Sequence, residues 1–248
     1  MIPKPAYGWV PDIPDRRDFL YSAIRPVIRR PKKVDLRQGC SEIEYQGKLG
    51  SCTAQALAGN LEFLDKKIDS EYVDVSRLFI YYNERLIEGT IGEDAGAAIR
   101  DGIKALATYG VCSAKKWPYD ITKFKKKPLK VCYTEGLKNK ISSYYRLNTL
   151  DDMLKCLSSG YPFVFGFSVY ESFETDYVAK TGIVSLPKIN EKFLGGHAVC
   201  AVGYDKKTKM FIVRNSWGSG WGDKGYFYMP FEYLSNRNLS DDFWYIIK

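Results

Sequence analysis

The apolar positions of this chain change their period about two thirds of the way along. From Ala54 through Leu57, Leu61 and Leu64 to Ile68 they recur at three- and four-residue steps, which predicts an α-helix. Ala56, Gly59 and Phe63 make a second face apolar or small, so this helix should be buried on more than one side. Ser76 to Gly89 and Ala97 to Tyr109 read as further helices, the second stopped by Gly110. Later the pattern becomes short apolar runs between turn residues. Phe163 to Tyr170, His197 to Tyr204, Met210 to Asn215 and Gly225 to Met229 predict strands, and Asp205 to Lys209 a hairpin turn. Asp151 to Leu157 predicts one short helix in this half. Helices first and antiparallel strands afterwards predict an α+β protein of two lobes, mostly helical over about 45–140 and mostly β over about 141–248.

Residues 1–33 show no sustained period and are rich in Pro, Arg and Asp. They predict an extended arm ahead of a globular domain at 34–248. Tyr7, Trp9, Val10, Phe19, Leu20 and Tyr21 are apolar anchors, unusual in a tail meant to stay solvated. Pro3, Pro5, Pro11 and Pro14 favour an extended backbone. The N-terminus lacks the apolar core of a secretory signal, and no apolar run is long enough to span a bilayer. No membrane partner is expected, and the compartment is left open.

With 248 residues, 45% of them apolar, the chain can bury a sizeable core. The net charge is +8, of which +5 lies in residues 1–33, where eight Lys/Arg face three Asp. Further basic clusters sit at Lys115-Lys116, Lys123 to Lys130 and Lys206-Lys207. No nucleic-acid module accompanies this charge, so it reads as solvated surface and no specific nucleic-acid partner is expected. There are six cysteines and one histidine, with no CxxC pair, so neither a metal site nor a cofactor is expected. Cys200, in an apolar strand, reads as a buried free thiol.

The single histidine, His197, carries the candidate chemistry. It follows Gly195-Gly196 and precedes Ala198. Upstream, Cys52 follows Gln46-Gly47-Lys48-Leu49-Gly50-Ser51 and falls at the first turn of the predicted helix. A helix N-terminus lowers a thiol pKa, and a neighbouring imidazolium lowers it further. His197 could then serve as general base and later as acid to a leaving amine. Downstream, Asn215 in Asn215-Ser216-Trp217-Gly218 could orient the imidazole, with Trp217 shielding that bond from water. The Gln46 side-chain N–H could join the Cys52 backbone N–H in stabilising an oxyanion. Each element alone is weak; together, in the order Gln, Cys, His, Asn, they are specific.

These segments resemble the papain-like cysteine peptidases, which include the cathepsins. QGKLGSC resembles the glutamine and nucleophile segment. GGHAVCAVGYD resembles the histidine segment, nearest to the cathepsin B branch, and RNSWGSGWGDKGYFYMP the asparagine segment. VDLRQ resembles the start of the mature enzyme. The resemblance covers roughly residues 34–248 and implies a helical lobe packed on a β-barrel-like lobe, with the active site in the cleft between. Carried over, Cys52 would be the nucleophile, His197 the base and acid, Asn215 its orienter and Gln46 the oxyanion donor. Gly50, Gly96, Ala97, Gly196, Ala198 and Trp217 would line the substrate cleft, with Gly96 meeting the substrate backbone. Leu49 and Asp94 stand where the family has a disulfide pair, a loss that suits a reducing compartment. Thr53 replaces an aromatic after the nucleophile, and Ala97 the second glycine of the substrate strand.

The implied activity is hydrolysis of peptide or protein substrates by a monomer. Endopeptidase action is expected, because no second histidine is present to bind a C-terminal carboxylate. A catalytically weak papain-fold binding protein and an acyltransferase are the alternatives. Asp241 and Asp242 lie where the family builds its second subsite. They read as solvated acids at a strand start, or, if one points inward, as a site for Arg. Residues 1–33 are expected to cover part of the cleft and hold the enzyme latent, the alternative being a strap joining the lobes away from Cys52. Asn238-Leu239-Ser240 is a chance glycosylation sequon on this reading.

Overall fold

The computed structural model describes residues 6–24, 28–70 and 72–248; Pro3 and Pro5 lie outside them. Helix α1 (Cys52–Asp69) is buried from Cys52 through Asp65, as its two small or apolar faces require. It packs against α2 (Arg77–Glu88) and α3 (Ile99–Tyr109). The Ser76 hydroxyl accepts the Phe79 N–H to start α2, and Gly89, with φ 74°, ends it. Shorter helices follow at α4 (Lys130–Gly136), α5 (Leu150–Ser158), α6 (Asp176–Thr181) and α7 (Phe231–Ser235).

The strands are β1 (Lys33–Asp35), β2 (Ser143–Arg146), β3 (Phe163–Tyr170), β4 (Phe193–Asp205), β5 (Met210–Arg214), β6 (Tyr226–Pro230) and β7 (Ser240–Ile247). They form one antiparallel sheet in the order β2-β7-β3-β4-β5-β6, with β1 on the far end of β4. Side chains of β4 alternate between two cores. Ala198, Cys200 and Val202 face the core shared with α1, while Val199 and Ala201 join Phe163, Phe165 and Phe167 in the other. Burial of both faces explains the unbroken apolar runs of β3 and β4 in the sequence.

This core fixes the site. The β3–β4 register sets Phe167 opposite His197, and the β4–β5 register sets Cys200 opposite Arg214, one residue before Asn215. Because α1 packs on β4, Cys52 at its first turn is brought to the same place.

One expectation is corrected. Asp242 is not solvated: it is 1% exposed. Its Oδ1 accepts from Arg146 Nη2 at 2.9 Å, and its Oδ2 accepts the Trp9 indole N–H at 3.0 Å and the Asp12 backbone N–H at 2.8 Å. Three donors replace the lost hydration, which makes burial of the carboxylate tolerable. Asp241 remains partly exposed, paired with Arg146 and Arg237. Among the described residues no helix is long and apolar enough to cross a membrane, and no His/Cys/Asp/Glu cluster could hold a metal ion.

Candidate active site

The loop before α1 is tied to the loop after β5. The Gln46 N–H donates to the Ser216 carbonyl at 2.9 Å, and the Ser216 hydroxyl donates to Gln46 Oε1 at 2.7 Å. With its oxygen so occupied, Gln46 aims Nε2 at the Leu49 carbonyl, at 3.0 Å. The same loop is anchored from the other side: the Gly50 N–H donates to both Asp94 oxygens, at 3.0 and 3.1 Å. Asp94 also accepts the Tyr81 hydroxyl. Hydrogen bonds therefore join the two segments that a disulfide would join in the family pattern. All six cysteines are free and buried.

His197 lies on β4, fully buried. Its Nε2 is 2.9 Å from Asn215 Oδ1, which also accepts the Ser216 N–H at 2.8 Å. An acceptor on that side makes Nε2 the protonated nitrogen and leaves Nδ1 as the base. Among the described residues Nδ1 has no hydrogen-bond partner. Trp217, 5% exposed, lies over the imidazole with ring centroids 4.9 Å apart and a 30° tilt. Burial pushes the imidazole pKa down to about 4, against the opposing effect of the hydrogen bond it donates to Asn215. The Cys52 thiol is pushed up to about 12, again mainly by burial. Backbone N–H groups of Ala198, Gly8 and Thr53 reach its sulfur and pull the other way. Below it, the fully buried Glu84 accepts the Thr53 hydroxyl at 2.6 Å.

The N-terminal arm runs directly through this site. The Ala6 carbonyl accepts from Gln46 Nε2 at 3.0 Å. Tyr7 sets its ring 6.2 Å from both His197 and Trp217 and ties its hydroxyl to Glu174. The Gly8 carbonyl accepts the Ala97 N–H at 2.8 Å, and the Val10 N–H donates to the Ala97 carbonyl at 3.0 Å, a parallel bridge. On the opposite wall the Trp9 N–H donates to the Gly196 carbonyl at 2.9 Å. Of the cleft positions named from the sequence, Gly50, Gly96, Ala97, Gly196 and Trp217 thus all meet the arm, and Ala198 lies beside Cys52. The backbone ladder falls on Ala97. Gly96, with φ 73°, instead lies so close to the arm that a Cβ there would be 2.1 Å from the Gly8 carbonyl oxygen. Sequence reasoning gave Ser216 no role, marked Asp94 only as the place of a lost cysteine, and passed over the individual contacts of Ala6, Tyr7 and Gly8. The aromatic–Gly–aromatic order of Tyr7-Gly8-Trp9 was the available signal for the last.

The sequence profile of the papain family cysteine proteases matches residues 30–243. The chain belongs to that family and is a cysteine peptidase of its α+β fold. It is 45% identical to the peptidase C1-like protein L477 of Acanthamoeba polyphaga mimivirus, over 97% of this chain and 86% of that protein. It is 31% identical to cysteine proteinase 1 of Entamoeba histolytica, over 83% of this chain but 65% of the relative's length. Among solved structures it is similar to xylellain, a cysteine protease from Xylella fastidiosa, with a TM-score of 0.89 and 44% identity over 98% of this chain and 95% of that one. It shares the fold of digestive procathepsin L 3 of Tenebrio molitor, with a TM-score of 0.74 at 19% identity, over 93% of this chain and 74% of that one.

Proposed function

We propose that this chain is a cysteine endopeptidase held latent by its own N-terminal arm, with Cys52, His197, Asn215 and Gln46 as its catalytic residues. The observation that carries this reading is the engagement of three of them by consecutive arm residues. Ala6 occupies the Gln46 donor, Tyr7 packs against His197, and the Gly8 backbone lies near enough to Cys52 to lower its thiol pKa. Once the arm leaves, the Ala97 backbone and the Gly196 carbonyl are free to pair with an extended substrate.

In the reaction, Cys52 Sγ attacks the substrate carbonyl carbon while His197 Nδ1 takes the thiol proton. The carbonyl oxygen, now negative, is held by Gln46 Nε2 and the Cys52 backbone N–H. His197 returns the proton to the departing amine as the C–N bond breaks, leaving a thioester. Water then attacks the thioester, with His197 Nδ1 taking its proton, and the acid product and thiol are released. Asn215 holds the imidazole in the tautomer these steps need. Internal cleavage is favoured because the only histidine of the sequence serves catalysis, leaving no imidazole for a terminal carboxylate.

The test is labelling of Cys52 by an epoxide inhibitor of papain-like enzymes, compared between the full chain and a variant with a weakened arm. Selective labelling of Cys52 among six cysteines, accelerated in the variant, supports the reading. No labelling in either protein identifies a binding protein, and equal rates exclude latency. Transfer of the acyl group to an added amine in preference to water would identify an acyltransferase.

A further inference from the structure

Of the arm residues in the site, Tyr7 to Val10, the one whose large side chain is buried is Trp9, 8% exposed. Its seat is shaped for an indole. A Cβ at Gly166 would lie 2.0 Å from indole Cε2, and one at Gly196 2.8 Å from Cε3. Neither glycine needs its freedom for a left-handed backbone, since no positive φ occurs at either. Their bare Cα atoms make room for the ring. At the polar end of this slot the indole N–H donates to Asp242 Oδ2 at 3.0 Å. Asp242 is itself held in the left-handed region, φ 57°, an unfavourable backbone for a non-glycine residue. It is 1% exposed.

The charge state of that floor decides what it selects. Arg146 Nη2 already pairs with Asp242 Oδ1 at 2.9 Å, and its guanidinium lies over the Trp244 ring at 5.3 Å. Arg146 is shared with Asp241, also at 2.9 Å, but Arg237 pairs with Asp241 at 2.6 Å, and the 3.6 Å contacts of Arg146 to Asp12 and Asp18 are to the arm, so two guanidiniums balance the two acids of this floor. What remains is an acceptor oxygen aimed into an apolar slot. A second guanidinium entering there would meet Arg146, whereas a neutral N–H donor on a flat apolar body would not. The slot opens beside the cleft walls, because Trp9 N–H bonds to Gly196 while its neighbours Gly8 and Val10 bond to Ala97.

We propose that the slot walled by Gly166 and Gly196 and floored by Asp242 is a substrate side-chain pocket selective for tryptophan, which Trp9 fills in the covered state. This assignment rests on the peptidase reading. It makes Asp242 a specificity-determining residue through a neutral hydrogen bond, replacing the expectation of a pocket for Arg. The preferred substrates are extended peptides with an indole next to the residue that lies on Cys52.

The test uses the full chain and peptidyl epoxides identical except at that residue, carrying Trp, 1-methyl-Trp, Leu or Arg. Second-order labelling constants at Cys52 are compared as ratios within one protein. Every probe meets the same fraction of uncovered enzyme, so the ratios are independent of how rarely the arm opens. The wild type should prefer Trp to 1-methyl-Trp and to Arg by about tenfold or more, the effect of a donor lost to a buried charged acceptor. Gly166→Ala should label faster with Leu, since the new methyl expels Trp9, and more slowly with Trp. In Asp242→Asn, Arg146 claims the amide oxygen and turns the NH₂ toward the indole N–H, so the ratio of Trp to 1-methyl-Trp should fall to about one. Labelling with flat ratios in the wild type, or ratios that survive both substitutions, overturns the pocket assignment alone. Absence of labelling in all three proteins overturns the peptidase reading and the pocket's substrate role with it.

Discussion

Gly8→Ala is the sharpest perturbation of the covered state. A methyl at Gly8 would sit 1.8 Å from the Gly50 carbonyl oxygen, 2.4 Å from its carbon and 2.8 Å from its Cα. All three atoms are backbone of the loop that positions Cys52, so they cannot turn aside. The arm must lift by more than an ångström at the point where the Gly8 carbonyl accepts the Ala97 N–H and the next residue donates to Gly196. Overpacking costs about 1–3 kcal/mol. Loss of one or both of the two backbone hydrogen bonds adds about 1 kcal/mol each. Destabilisation of about 2–5 kcal/mol raises the uncovered fraction at least about thirtyfold, up to complete uncovering. The opposing force is chiefly burial of the Trp9 indole, about 5 kcal/mol for roughly 200 Å². The substitution and the anchor are thus of similar size.

The assay is the second-order rate of Cys52 alkylation by a small thiol reagent, with peptide turnover and thermal midpoint measured on the same samples. Gly8→Ala should react at least about thirtyfold faster with its midpoint nearly unchanged. Val10→Ala, whose side chain is 45% exposed, should stay within about twofold of wild type. A wild-type rate in folded Gly8→Ala would refute the reasoning. A lowered midpoint without a faster rate would identify the arm as a structural strap.

Cys52→Ala and His197→Ala should each abolish turnover, measured by peptide hydrolysis, with circular dichroism unchanged. Asn215→Ala should retain partial activity, about ten- to a hundredfold down, since Asn215 orients but carries no proton. Cys200→Ala should keep turnover and inhibitor labelling: among the described residues its fully buried sulfur bonds to the Asn60 amide and the Ala201 carbonyl, neither of them a catalytic group, and burial pushes its thiol up to about 12. Asp12→Asn should make covering acid-labile. In the covered state His197 is depressed to about 4, so protonation below its ordinary pKa of about 6.5 favours the uncovered state. Asp12, raised by burial and by the nearby Asp242 charge, takes up a proton on covering as pH falls and opposes this. Removing Asp12 removes that uptake, so the alkylation rate of Asp12→Asn relative to its parent should rise as pH falls from about 6.5 toward 4. A flat ratio would contradict it.

The frame of the fold was legible where periodicity was strong. The helices expected from Ala54, Ser76 and Ala97 and the strand Phe163–Tyr170 occur with boundaries shifted by no more than two residues at the capped ends. Strand β2 escaped the pattern, and β7 was read only as a strand start at Asp241 and Asp242. In Ser143–Arg146 every residue is only half-buried, so nothing alternates. In Ser240–Ile247 two carboxylates open an otherwise apolar strand. Asp242 looked solvated because its compensating donors come from residues more than ninety positions away in sequence, Arg146, Trp9 and Asp12. A charge buried by long-range partners leaves no local mark. The candidate site was readable because its chemistry needs rare residue types in a fixed order. The contacts of the arm were not, because a backbone ladder uses no particular side chain. Only the glycines that let it approach betray it, and a glycine in a sequence has many causes.

The arm also accounts for a conflict within the site. A thiol raised to about 12 beside an imidazole lowered to about 4 favours the neutral pair and suppresses the thiolate that a cysteine peptidase uses. Both shifts have burial as their leading cause, and the cover over Cys52 and His197 is made in part by Tyr7, Gly8 and Trp9. Most of the groups that favour charge belong to the enzyme body: the helix N-terminus under Cys52, the Ala198 and Thr53 N–H groups, and Asn215 on His197; only the Gly8 N–H leaves with the arm. Lifting the arm admits water and removes part of the desolvation while leaving those groups in place. Occlusion and deactivation then share one cause, and a change that frees the cleft should also bring the thiol toward its reactive form. The Gly8→Ala protein should accordingly show a thiolate at lower pH than wild type, read by its absorbance near 240 nm against Cys52→Ala. An accelerated alkylation rate with an unshifted thiolate titration would separate the two effects and leave the arm a steric plug alone.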